Sequence, residues 1–121
     1  MREGRRPQGF TRLRLATLNS MRGLRHCYRS EAAFRQEVWL AVVLVPAGLW
    51  LGGNGAERAL LVGSMLLVLI VELLNTGIEV VVDRIGTERN HLSGFAKDLG
   101  STAVFVSLAL LGITWGLVLL T

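Results

Sequence analysis

Cysteine, proline and tyrosine are scarce in this 121-residue chain, which holds one cysteine (Cys27), two prolines and one tyrosine. A single cysteine excludes an intrachain disulfide and any metal–thiolate cluster. Neither a G-x-x-x-x-G-K-[ST] phosphate loop nor a G-x-S-x-G elbow occurs, which removes a soluble-type nucleotide fold and a serine-nucleophile hydrolase. Charge is missing from long stretches as well. Residues 59–71 carry none over 13 positions, and residues 99–121 carry none over 23. The chain is 51% hydrophobic, too apolar for an ordinary small soluble domain and typical of a membrane protein.

The apolar runs organise the chain as one all-α domain over residues 1–121. Residues 1–9, MREGRRPQG, lack periodicity and read as a flexible arm. Over residues 10–29, Phe10, Leu13, Thr17, Met21, Leu24 and Tyr28 fall within an arc of about 80° at helical spacing. Arg12, Asn19, Arg22 and His26 lie opposite. This is an amphipathic helix with a basic face, suited to an anionic membrane surface. Ser30 can cap a following helix at Glu31. Residues 31–51, 57–83 and 97–121 then read as three membrane spans, separated by the GGNG turn (52–55) and a polar link (84–97). Pro46 lies within the first span and can kink it.

Nine of the thirteen Lys+Arg residues precede residue 36, and twelve fall on one side of a three-span topology, with Arg58 alone on the other. The positive-inside rule puts the N-terminus in the cytoplasm and the C-terminus outside. Next to such spans, the basic N-terminus marks a membrane face and not a nucleic-acid partner. It is also too long for a signal peptide, with no good cleavage site after the first apolar run.

One stretch breaks the pattern. VELLNTGIEVVVDR (71–84) is apolar yet carries Glu72, Asn75, Glu79 and Asp83, all within about 80° on one helical face. Ionisable groups in a span face a protein interior or a polar cavity. A polar seam pairing these carboxylates with Arg35 or Arg84, or a proton-coupled transporter, would use the same stripe. Three carboxylates on one face repel unless cations intervene, and a hard cation such as Mg²⁺, held by one or two carboxylates plus substrate phosphates, would relieve this. Three helices are too few to enclose such a site, so neighbouring copies would complete it. Lys97, the only lysine, lies in AKD beside Asp98 at the inner end of the third span, where it can grip a phosphate or snorkel to the interface.

EAAFRQE (31–37), VELLNTGIEVVVDRIG (71–86) and LSGFAKDLGS (92–101) together resemble the prokaryotic diacylglycerol kinase family, in order and spacing, over nearly the whole chain. The resemblance implies a homotrimer in the bacterial inner membrane with active sites shared between subunits. It implies transfer of the γ-phosphoryl of MgATP to diacylglycerol, with undecaprenol as the alternative lipid. Glu72 matches the family's catalytic base and Asn75 an ordering amide. Glu31 and Glu79 match the Mg²⁺-holding carboxylates. Arg12, Asn19, Glu88, Arg89, Asn90, Lys97 and Asp98 match positions around ATP, with Glu31 and Glu79. Arg12, Glu72, Arg58, Ser101 and Trp115 match positions for the lipid. The chain departs from the family where Asn90 replaces a histidine, and where Asn19 and Met21 stand at commonly aromatic positions.

Overall fold

The computed structural model describes residues 8–86 and 90–121, and among them the secondary structure is entirely helical. The elements are α1 (Gly9–Ser30), α2 (Ala32–Leu51), α3 (Gly55–Ile85) and α4 (His91–Leu120). The chain divides into two units, Met1–Ala32 and Ala33–Thr121.

The first unit holds α1. Gly9, at φ 61°, turns the chain into the helix through a conformation that favours glycine. The helix thus begins one residue earlier than expected, and residues 1–7, the rest of the expected arm but for Gln8, lie outside the described residues. Phe10, Leu13, Met21 and Leu24 are exposed along α1. Ser30 does not cap the next helix. It is the last residue of α1, where its hydroxyl donates to the His26 carbonyl at 2.9 Å. The Glu31 N–H donates to the Cys27 carbonyl, also at 2.9 Å. These bonds satisfy carbonyls left open at the helix end, so α2 begins one residue later than expected.

The second unit holds three helices long and apolar enough to cross a membrane. A tight turn joins α2 to α3. Asn54 Oδ1 accepts the Glu57 N–H at 2.9 Å, and Glu57 Oε1 accepts the Gly53 N–H at 2.7 Å, a reciprocal cap of the capping-box kind. A Cβ on Gly52 would lie 2.5 Å from Arg58 Cγ and 2.9 Å from its backbone nitrogen, so the turn admits no side chain there. At the other end, α3 runs on to Ile85 and α4 starts at His91, earlier than residue 97. Asn90 explains the early start: its Oδ1 accepts the N–H groups of Leu92 at 2.9 Å and Ser93 at 3.3 Å.

Helices α3 and α4 run antiparallel, and two contacts set their register. The Trp115 indole N–H donates to the Leu61 carbonyl at 3.0 Å. The Asn75 amide lies against Gly100, where a Cβ would sit 2.1 Å from Asn75 Oδ1. From one contact to the other α3 advances 14 residues and α4 retreats 15, so the pairing keeps step. Between them lies the core of Met65, Val68 and Leu111, closed by Ala41 of α2. Gly48 brings α2 close, since a Cβ there would be 3.0 Å from Leu61 Cβ.

This register also sets depth. A hydrocarbon layer of about 30 Å takes about 20 helical residues. Counted from Gly55 in α3, that reaches Asn75; counted back from Leu120 in α4, it reaches Gly100. The two counts end at the same contact. Glu72 lies just inside that level, and Glu79, Asp83 and Lys97 lie beyond it.

Trp115→Phe should therefore lower stability by about 1 kcal/mol through the lost bond to Leu61. Gly48→Val should cost about 1–3 kcal/mol by forcing α2 away from α3. Unfolding in mixed micelles at increasing sodium dodecyl sulfate fraction measures both.

Candidate active site

One face of α3 changes character along its length. Leu61, Ser64, Met65 and Val68 are buried on it, followed by Glu72 and Asn75 at 5% and 8% exposure. Glu79 is partly buried on the same face, and Asp83 is exposed at its end. The spacing that buries the core therefore carries the polar stripe toward the α3–α4 connection. Burying Glu72 is costly unless its carboxylate finds a partner or a proton.

On α4, Lys97, Gly100, Ser107, Leu111 and Trp115 follow one another at spacings of three, four or seven, along the face turned to α3. Gly100 lets the Asn75 amide approach. One turn toward the connection, the Lys97 ammonium bridges to Asp83 Oδ1 at 2.8 Å. Both side chains are about half exposed, at 42% and 55%. Lys97 also lies within the electrostatic reach of Glu79. An arginine partner for Asp83, expected from the local sequence, gives way to Lys97 because the antiparallel register brings the lysine to that level. Asp98, the next residue of α4, is exposed.

Helix α2 adds a residue the sequence pattern did not single out. Phe34, Ala41 and Gly48 are its buried positions, and Glu37 falls on the same stripe. The carboxyl of Glu37 meets that of Glu72 within hydrogen-bonding reach. Glu37 Oε1 and Asn75 Oδ1 are buried oxygens without a hydrogen-bond donor. The three- and four-residue spacing of Phe34, Glu37 and Ala41 is the signal that could have placed Glu37 inward.

The remaining candidates scatter. Arg12 and Asn19 are exposed on α1, where Asn19 accepts a hydrogen bond from Arg22. Glu31 is the C-cap of the same helix. These three belong to the first unit and are described within it. Glu88 and Arg89 lie outside the described residues, and Asn90 caps α4. Ser101 is exposed on α4. Arg58 and Trp115 sit at the far end of the bundle, Arg58 folded over Gly52 and Trp115 with its N–H on Leu61.

Glu37, Glu72, Asn75, Glu79, Asp83 and Lys97 thus gather at one end of the three-helix unit, at the depth where the apolar layer ends. Such an arrangement offers a buried carboxyl for proton transfer, acidic oxygens for a hard cation and an ammonium for a phosphate. The chain's kinship agrees with that chemistry. The family model for prokaryotic diacylglycerol kinase matches residues 18–119. A protein of Haemophilus influenzae named diacylglycerol kinase is 49% identical over 108 residues, covering 89% of this chain and 92% of its own length. Proteins of the same name from Escherichia coli K12 and Pseudomonas aeruginosa are 48% and 49% identical, over 92% and 93% of this chain and 91% of their own lengths. With the model covering most of the chain and relatives near half identity at almost full length, the chain belongs to the prokaryotic diacylglycerol kinase family.

Proposed function

We propose that the chain transfers the γ-phosphoryl group of ATP to the free hydroxyl of diacylglycerol, giving phosphatidic acid and ADP at the cytoplasmic face of a bacterial inner membrane. The observation that carries this reading is the buried Glu72, on the helical face that leads outward to Glu79 and the Asp83–Lys97 pair. A lipid can present its hydroxyl from the bilayer side, and a nucleotide can reach the half-exposed lysine from water.

Glu72 takes the proton as the lipid oxygen attacks. The new bond joins that oxygen to the γ-phosphorus, and the bond from the γ-phosphorus to the β–γ bridging oxygen breaks. Its electron pair leaves with ADP. Such a transfer needs positioning and charge neutralisation more than covalent help from the protein. Lys97 supplies positive charge to the phosphates, and Asp83 holds the lysine at the right level. Asn75, pressed against Gly100, orders the groups beside Glu72.

A hard cation such as Mg²⁺, carried in on the triphosphate, needs only one or two carboxylates beside the phosphate oxygens. Glu79 and Glu31 are the residues assigned to it. When bound, Mg²⁺ neutralises phosphate charge.

Arg12, Asn19, Glu88, Arg89, Asn90 and Asp98 are assigned to the surroundings of the nucleotide, and Arg58, Ser101 and Trp115 to lipid. For Trp115 this leaves the ring, because its N–H is engaged. Only 17%, 22% and 11% of the three apolar windows are buried within one chain. This supports a homotrimer with sites shared between subunits. The basic N-terminal third supports a cytoplasmic N-terminus, an outward C-terminus and contact of α1 with anionic lipid.

Glu72→Gln should lower kcat for diacylglycerol phosphorylation by at least about 100-fold while oligomer size in detergent is unchanged. Radiolabel transfer from γ-labelled ATP in mixed micelles, with diacylglycerol and undecaprenol compared, measures it. Undiminished turnover by that variant would remove the base assignment. Asp83→Asn should raise the KM for MgATP about threefold to tenfold, with less effect on the KM for lipid. Chelation by EDTA should abolish phosphoryl transfer, and added Mg²⁺ should restore it.

A further inference from the structure

Glu37 has no part in the scheme above, yet it is the group that meets Glu72 from across the bundle. The helix registers bring the two together. Counted from the turn that joins α2 and α3, Glu37 stands 14 residues up from Leu51 and Glu72 stands 17 residues up from Gly55. At 1.5 Å per residue these are depths of about 21 and 26 Å. Both residues lie on the faces that build the core, beside Phe34 and Ala41 in α2 and Val68 and Asn75 in α3.

The contact has a chemical consequence. Two carboxylates side by side in an apolar layer repel, and two carboxyl groups in contact are stable when a proton lies between them. Glu37 Oε1 is buried with no protein donor, so a proton shared with Glu72 is what satisfies it.

We propose that Glu37 is a positioning residue, which keeps a proton and donates it in a hydrogen bond to one carboxylate oxygen of Glu72, leaving the other oxygen aimed at the lipid hydroxyl. Glu37 is not consumed. The proton taken from the lipid goes to the second oxygen of Glu72 and then to water, while the Glu37 proton stays in place. The inference rests on the assignment of Glu72 as the base.

Three variants and a spectrum test it, in the full-length protein in bilayers. Glu37→Ala should lower kcat by about 100-fold with the KM for MgATP changed by less than about twofold. Glu37→Gln, whose amide N–H can still donate to Glu72, should recover kcat to within about tenfold of wild type. Each variant is first required to elute as the wild-type oligomer. Infrared spectra at neutral pH should show a carboxylic-acid C=O band in the wild type that Glu37→Gln removes. A role in packing alone would move neither the band nor the Gln rescue. Wild-type kcat in Glu37→Ala, a Glu37→Gln no better than Glu37→Ala, or no carboxylic-acid band in the wild type would each overturn the proposal. Normal turnover by Glu72→Gln would overturn the base assignment, and with it this proposal, by a route separate from the Glu37 variants.

Discussion

Inside hydrocarbon a polar group has no water to turn to, so each one must find its partner within protein. Most of the structure can be derived from how the buried groups of the three long helices meet that demand. Ser64 and Ser107 return their hydroxyls to carbonyls of their own helices, at 3.1 and 2.7 Å. Trp115 crosses to the Leu61 carbonyl. Two buried side-chain oxygens among the described residues stand outside this pattern, Glu37 Oε1 and Asn75 Oδ1. Both sit around Glu72. The lower bundle is a satisfied scaffold, and the unmet hydrogen-bonding capacity is concentrated where chemistry is proposed.

Scaffold and site are not separate parts of α3. They share one face, read out at a single helical period from Leu61 to Asp83. A shift in the α3–α4 register would therefore spoil the packing of Val68 and Leu111 and also separate Asn75 from Gly100 and Asp83 from Lys97. Packing enforces alignment of the polar end. Gly100 makes the coupling strict, because any side chain there would occupy the position of the Asn75 amide. Rigid helices suit the proposed reaction, which depends on holding a carboxylate within reach of the attacking hydroxyl while that hydroxyl faces a phosphate.

The sequence already carried the polar stripe, since Glu72, Asn75, Glu79 and Asp83 obey the period of one helix and need no knowledge of a second. It also carried the three apolar runs and the turn at residues 52–55. What it did not carry was pairing between helices. Asp83 looked toward Arg35 or Arg84, and only the antiparallel register brings Lys97 to it. Glu37 was not singled out by the sequence pattern at all. Its inward aim follows from Phe34 and Ala41, whose burial is known only once α2 is packed. Helix ends slipped for a local reason: Asn90 caps α4 well before the apolar run begins, and Ser30 bonds backward where it could have bonded forward.

Charge sharpens the reading of the site. Within the second unit Glu37, Glu72, Glu79 and Asp83 gather toward the end that holds Lys97, and that lysine is already bridged to Asp83. A triphosphate approaching this cluster alone would meet net negative charge at a depth where the dielectric screens poorly. Two features of the proposed scheme lower that barrier. A proton held between Glu37 and Glu72 removes one charge from the buried end. Glu79, at the exposed end, would hold a divalent cation carried with the nucleotide, which would turn its carboxylate from a repulsion into an attraction. In the proposed scheme the carboxylates of this cluster would favour a metal-bound nucleotide over a bare one, with the phosphates at the Lys97 end and the proton chemistry one to two helical turns deeper.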